Sequence, residues 1–180
     1  YTPRTLFPYT TLFRSFPSFK SINTDILKLN LAIYSPMKYI LPNKIDIYAE
    51  KYDTKVKGGK SVLKQTDRES SIVYLMKSSL LKRLESSVNS FTLTLEKILL
   101  NIEETLKKIN NFKGEYFYDI DDIDSLDEQL EDFIIGSKVK VLLNDVDMIK
   151  WKQDLEYDRD LLSNLRSEEH TSELQSPVRS

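Results

Sequence analysis

The chain has 180 residues, 30% of them charged, with a net charge of −2. It contains no cysteine, which excludes a disulfide framework and a thiolate metal site and gives no reason to expect a secreted protein. No apolar run approaches the ~20 residues of a membrane span, so no membrane partner is expected.

The two ends stand apart from the rest. Residues 5–15, TLFPYTTLFRS, and residues 166–176, RSEEHTSELQS, resemble the in-frame translations of the paired adapters used in sequencing libraries. The expectation is that 1–15 and 166–180 are artefactual adapter-derived tails that add nothing to a core, with 16–165 a fragment of a larger gene. Such scars are set aside before the fold is read. The only histidine, His170, falls in the second tail, so no catalytic or metal role rests on it.

Without the four Arg and three Glu of the tails, 22 basic residues face 25 acidic ones. The near balance hides an asymmetry. Residues 16–113 carry 17 Lys/Arg and 10 Asp/Glu, whereas 114–165 carry 5 and 15. The first part suits an anionic partner and the second does not.

Residues 16–65 read as short helices and a basic loop. Residues 16–28 show little pattern. LNLAIYSPMKYILP (29–42) is apolar and aromatic, and Pro36 breaks it into a short helix or turn on each side. Residues 43–52 predict a short helix with Ile45, Ile47 and Tyr48 as its apolar positions. DTKVKGGKSVLKQ (53–65) predicts a flexible basic loop around paired glycines.

Residues 66–112 predict one long amphipathic helix, with any break at 86–89, where serines compete for backbone groups. Its stripe is Ile72, Leu75, Met76, Leu80, Leu84, Val88, Phe91, Leu95, Ile98, Ile102, Leu106 and Ile109, in steps of three and four. Thr66 and Glu69 have capping-box spacing. Glu103 and Glu104 precede Lys107 and Lys108 by four, and Asn110, Asn111 and Gly114 supply a stop. At 1.5 Å per residue such a helix is roughly 65–70 Å long, and it is expected to lean on protein beyond this chain.

Residues 114–144 read as a linker: 115–132 holds nine acidic residues and no Lys or Arg. Leu126, Leu130, Phe133 and Ile134 fit a short amphipathic turn, and KVKVLL (138–143) fits either a strand or an extended connector. Residues 145–165 predict a final helix capped by Asp145 or Asp147, with Met148, Trp151, Leu155 and Leu162 inward. The fold expected is mainly α: one long helix with shorter flanking helices, an acidic linker and disordered ends.

Candidate chemistry is sparse. Gly58-Gly59-Lys60-Ser61 echoes the end of a phosphate-binding loop, but Thr54 stands where its first glycine belongs and no apolar strand precedes it. Residues 119–124, DIDDID, lack the glycine and distal glutamate of a calcium loop, so no metal site is assigned. Tyr34, Lys38, Tyr39, Tyr48, Lys51 and Tyr52 interleave aromatics with lysines, a pattern found in single-strand binders and more ordinarily in a packed face with exposed lysines. Lys82, Arg83 and Glu85 are dense in directed contacts and read as structural, as does Trp151, an anchor. No Ser–His–Asp set, paired-carboxylate site or zinc spacing is present, so no catalytic or cofactor-binding residue is assigned.

One stretch carries a resemblance. Residues 52–91, with Leu75, Met76, Leu80, Leu81, Lys82, Arg83, Leu84, Glu85, Ser86, Ser87, Ser90 and Phe91, resemble the inter-lobe region of bacterial Swi/Snf-like superfamily-two helicases, where a helix reads close to L-M-x-x-x-L-L-K-R-L-E-S-S-x-x-S-F. Tyr34-Ser35-Pro36 with Tyr39 resembles the segment after the first lobe. Gly136-Ser137-Lys138-Val139-Lys140-Val141, Asp145, Asp147 and Trp151-Lys152-Gln153-Asp154-Leu155 resemble the approach to the second. The resemblance implies a fragment of a larger, cytoplasmic α/β motor, an ATP-dependent hydrolase that moves on DNA. ATP and Mg are then its cofactors, and the missing motor lobes and DNA its partners. Phosphate loop, D-E-x-H box and arginine finger do not occur here, so the piece itself is a helical strut without cofactor. Lys57, Lys60 and Lys64 are its candidate phosphate contacts. The alternative is a non-enzymatic coiled-coil or adaptor protein using the same stripe as a seam, which irregular e/g charges disfavour.

Overall fold

A computed structural model describes residues 17–56, 58–59, 61–112, 117–119 and 139–174. Helix α1 (Pro17–Lys28) opens it, followed by three 3-10 turns at Ala32–Tyr34, Pro36–Tyr39 and Pro42–Lys44, then α2 (Ile45–Tyr52). A two-stranded hairpin of β1 (Thr54–Lys55) and β2 (Val62–Leu63) leads into α3 (Gln65–Ser86) and α4 (Val88–Asn110). β3 (Phe117–Asp119) pairs antiparallel with β4 (Lys140–Leu142), Tyr118 opposite Val141, and α5 (Met148–Leu174) closes the order. The protein is mainly α, as its periodicity predicts.

The 3-10 turns form the centre rather than a connection. Every residue from Leu31 to Met37 is buried, and α1, α3, α4 and α5 all pack against this segment or one another. Pro36 begins the second turn, where its missing N–H costs nothing. The most extensive helix pairing joins α4 to α5. Tyr34, Tyr39, Phe91 and Trp151 are the bulkiest fully buried side chains.

Several expectations change. The stretch at 16–28 is helical, with Pro17 in its first turn and Ile22 and Ile26 buried one turn apart. The long helix is two helices. Ser87 takes φ −161° and ψ 116°, the carbonyl of Arg83 accepts its N–H, and its Oγ caps α4 by accepting the Ser90 N–H at 3.3 Å. By rise per residue each piece is about 33–35 Å long. The stripe is also buried within this chain: all twelve positions except Leu75 and Val88 are buried, chiefly against α1, the 3-10 turns and α5.

At the start of α3 the expected capping box is absent. The helix begins at Gln65, whose N–H is taken by Asp53 Oδ1 at 2.8 Å, and Glu69 turns inward to accept the Met37 N–H at 3.1 Å. In α2 only Tyr48 is buried, while Ile45 and Ile47 are exposed. The basic loop is a hairpin rather than a flexible connector, turned by Gly58 (φ 113°) and Gly59 (φ 72°), values that L side chains rarely adopt.

The acidic linker is shorter than expected, because 139–146 belongs to the core: Val139, Val141, Leu143 and Val146 are buried. KVKVLL therefore supplies a strand. The turn expected at Leu126, Leu130, Phe133 and Ile134 lies outside the described residues. Asp147, not Asp145, caps α5, its Oδ1 accepting the Lys150 N–H at 3.1 Å. That helix runs past 165 as far as Leu174, and Arg166 and Ser167 on it are exposed.

Candidate functional site

Of the three loop lysines expected to meet phosphate, Lys57 and Lys60 lie outside the described residues. Lys64 is exposed at the N-cap of α3, its carbonyl accepting the N–H groups of Asp67 and Arg68. The flanking glycines turn a hairpin, and Ser61 enters a strand rather than a helix, so a phosphate loop has no place here.

The motif at the end of α3 divides between two environments. Leu80 and Leu84 are buried with Phe91, whereas Lys82, Glu85, Ser86 and Ser87 are exposed. Arg83, half-buried, donates from Nε to Ser79 Oγ at 3.3 Å and from Nη1 to Ser90 Oγ at 3.0 Å, spanning the break at Ser87. Trp151 is fully buried, donates from Nε1 to the Ala32 carbonyl at 3.0 Å and stacks on Tyr39 at 6.1 Å.

The tyrosines are structural. Tyr34, Tyr39 and Tyr48 are buried, and Tyr52 is half-buried, which leaves no row of open rings for bases to stack on. The Tyr34 hydroxyl is buried without a partner, and the hydroxyls of the other three stitch distant segments together. Tyr39 donates to Asp154 Oδ2 at 2.6 Å and Tyr48 to Asp145 Oδ2 at 2.8 Å, while Tyr52 donates to and accepts from the Lys140 backbone at 2.9 Å. Burial, then the carboxylate contact, pushes the Tyr39 phenol far up, and burial pushes Tyr48 up to about 12. Lys38 and Lys51 lie over the Tyr39 and Tyr52 rings, at 5.6 and 5.0 Å from the centroids.

Two buried carboxyl groups grip the central turns; Asp158 was not found from sequence, and Glu69 read there as a helix cap. Asp158, on the inner face of α5, accepts the Asn30 N–H at 2.7 Å and the Ala32 N–H at 2.8 Å. Between them Leu31 is held left-handed at φ 49°, so the consecutive amides form an anion nest filled by the protein's own side chain. Burial raises the Asp158 pKa against the pull of these amides. Glu69, on α3, holds the other end through Met37. Burial raises its pKa well above the usual carboxylate range, opposed by the Met37 N–H and by the nearby Gln65 side chain. Glu69 Oε1 and both Gln65 amide atoms are buried without hydrogen-bond partners. Each carboxyl sits in an apolar rhythm: Gln65, Glu69, Ile72, Met76 on α3 and Trp151, Leu155, Asp158, Leu162 on α5. That placement is the sequence signal.

Beside Glu69 lies a cleft of about 330 Å³, lined by Asn30, Ser35, Lys38, Thr66, Glu69, Ser70 and Val73. It opens against the first turn of α3, whose amino end already meets the Asp53 carboxylate through the Gln65 N–H and the Lys64 carbonyl through the Asp67 and Arg68 N–H groups. Lys38 is exposed at this cleft and, after burial, is a further cause lowering the pKa of Lys77. Among the described residues no group of three His, Cys, Asp or Glu side chains is placed to hold a metal, and no helix is long and apolar enough to cross a membrane.

Compared with protein families, curated proteins and solved structures, the chain shows no match.

Proposed function

We propose that this chain is the helical inter-lobe region of an ATP-dependent DNA translocase of the Swi/Snf-like class, a cytoplasmic motor whose ATP- and Mg-binding lobes lie outside it. Its part is architectural: a bent strut against which motor lobes pack, with Lys57, Lys60 and Lys64 touching DNA phosphates. One observation carries the reading. The resemblance in α3 extends over Lys82, Glu85, Ser86 and Ser87, which are exposed, as well as over the buried Leu80, Leu84 and Phe91. Core packing accounts for the second set and not for the first, and an external protein surface accounts for both. The coiled-coil alternative loses its seam, because the stripe it needs is buried within the chain.

The test begins with the locus amplified from source DNA. It is expected to encode a phosphate loop and an acidic box upstream and an arginine finger downstream, and not the tails at 1–15 and 166–180. A genomic frame containing both tails and no motor motifs refutes the proposal. The chain alone is expected to show no ATP hydrolysis, and Lys60→Ala to leave nucleotide binding at background. In the full protein, neutralising Lys57, Lys60 and Lys64 is expected to weaken DNA binding and flatten its salt slope by up to about three charges' worth, with ATP binding unchanged. An unchanged slope removes the hairpin from the DNA interface.

A further inference from the structure

The hairpin of β1 and β2 has no buried side. Thr54 pairs with Leu63 and Lys55 with Val62, so by strand alternation Val56 and Leu63 share one face and Lys55 and Val62 the other. All four are exposed, Val56, Val62 and Leu63 by 47, 51 and 43%. A two-stranded hairpin open on both faces is marginal in water, so its apolar side chains call for a covering partner. Charge narrows the choice. Residues 54–64 carry four lysines and no acid, and Arg68 joins the same edge, its Nη2 donating to Thr54 Oγ1 at 3.3 Å. A polyanion would meet the lysines and leave Val56 and Leu63 bare. A segment that is both acidic and apolar meets the whole surface.

Such a segment leaves the fold next to the hairpin. β3 ends at Asp119, opposite Lys140, and the Tyr52 hydroxyl both donates to and accepts from the Lys140 backbone at 2.9 Å. Tyr52 ends α2, two residues before β1. Residues 120–138, outside the described residues, therefore start and finish beside the root of the hairpin. They hold seven Asp/Glu against one Lys, with Leu126, Leu130, Phe133 and Ile134 at helical steps. Five residues from Val139 back to Ile134 reach at most about 18 Å, and Val56, four residues from Tyr52, stands at most about 14 Å away. We infer that the hairpin is the docking surface for this chain's own acidic segment. Leu126, Leu130 and Phe133 cover Val56 and Leu63, and Asp127, Glu128, Glu131 and Asp132 face the cations along the edges. Tethering at both ends supplies the effective concentration that lets modest contacts suffice. The inference does not depend on the DNA contacts proposed for the hairpin; where both hold, the segment and DNA phosphates compete for the same lysines.

The chain has no cysteine, so one engineered pair reports the contact without background. Ser61→Cys, beside Val56 on the hairpin, with Gln129→Cys leaves every contacting side chain in place. In the whole chain under a mild oxidant at low salt, this pair is expected to close a disulfide within one molecule. Tethering alone also permits closure, but at a rate indifferent to the chemistry of the segment. Changing Asp127, Glu128, Glu131 and Asp132 to their amides should slow closure about tenfold, as loss of a few surface ion pairs does. Val56→Ser should slow it about fivefold through lost apolar contact. Raising the salt to about 1 M should bring the parent pair close to the amide variant. Val56 is exposed, and circular dichroism confirms that each variant keeps the helical fold when rates are compared. Equal rates in the parent pair and both variants overturn the inference. So does a disulfide formed only between chains, which marks a second copy as the occupant. DNA takes no part in this measurement, so its outcome is independent of the salt-slope experiment.

Discussion

Asp158 is the side chain on which the centre of the fold most depends, and its removal gives a defined cost. Asp158→Ala strips the acceptors from the Asn30 and Ala32 N–H groups, bonds of 2.7 and 2.8 Å, in a place where Ala32 is fully buried. Each stranded amide costs about 1–3 kcal/mol, and Leu31 loses the contact that offsets a left-handed backbone worth about 1–2 kcal/mol. Asn30 is half-buried and regains water, so the sum falls at about 2–4 kcal/mol, a large part of the stability of a domain this size. Asp158→Asn keeps one acceptor and should cost less. Urea denaturation followed by circular dichroism measures both, provided the m-value is unchanged. A loss below about 1 kcal/mol for Asp158→Ala would refute the view that this carboxyl holds the central turns.

Glu69 has a raised pKa in the fold, so the native state binds its proton more tightly than the unfolded chain. Stability should therefore fall as pH rises from the ordinary carboxylate range toward the folded pKa; Glu69→Gln should flatten that fall, and parallel wild-type and variant curves would contradict it. The buried phenols behave likewise at alkaline pH. Tyr34, Tyr39 and Tyr48 are all raised from 10.0, so their ionisation by phenolate absorbance should coincide with unfolding rather than precede it. Ser87→Ala removes the α4 cap and should cost about 0.5–2 kcal/mol in the same urea experiment, with no effect if the 3.3 Å contact to Ser90 contributes nothing. Leu95→Ala, at a fully buried position facing the core, should cost about 2–5 kcal/mol, and a loss under 1 kcal/mol would argue that the α4 stripe is open to solvent.

The helical stripe was readable because steps of three and four survive in α3 and α4 whatever lies around them, and the weak helix formers at 86–89 marked the break. Periodicity does not say where a stripe is buried. The length of the pattern pointed to outside protein, whereas one extended residue at Ser87 lets two shorter helices bury their faces within the chain. Short helices were harder. α1 rests on little more than Ile22, Ile26 and Pro17, too few positions to set a rhythm. Asp158 escaped notice because an acidic residue in an apolar stripe scores as an interruption, and Glu69 read as a capping-box residue; only the distant amides of 30–37 reveal their use. Tyrosine rings looked available for bases since sequence cannot show that Asp145, Asp154 and the Lys140 backbone engage their hydroxyls.

The corner at Ser87 is a fixed joint rather than a weak hinge, as its hydrogen bonding shows. The N–H of Ser87 is the last donor of α3, to Arg83, and its carbonyl is the first acceptor of α4, from Phe91 at 3.0 Å. Its hydroxyl takes the Ser90 N–H, and the Arg83 guanidinium reaches across to the Ser90 hydroxyl. No backbone group of Ser87 itself is left for water to compete for, which is the usual source of a soft bend. Leu84 and Phe91, on either side, are both buried, so opening the angle would also expose apolar surface at about 25 cal/mol per Å². Serine suits the place: it tolerates extended backbone, supplies the cap, and is small enough to leave Arg83 its path to Ser90. Under the proposed function, such a joint would hold two attached bodies at a set angle, and Lys82, Glu85 and Ser86 are exposed beside it.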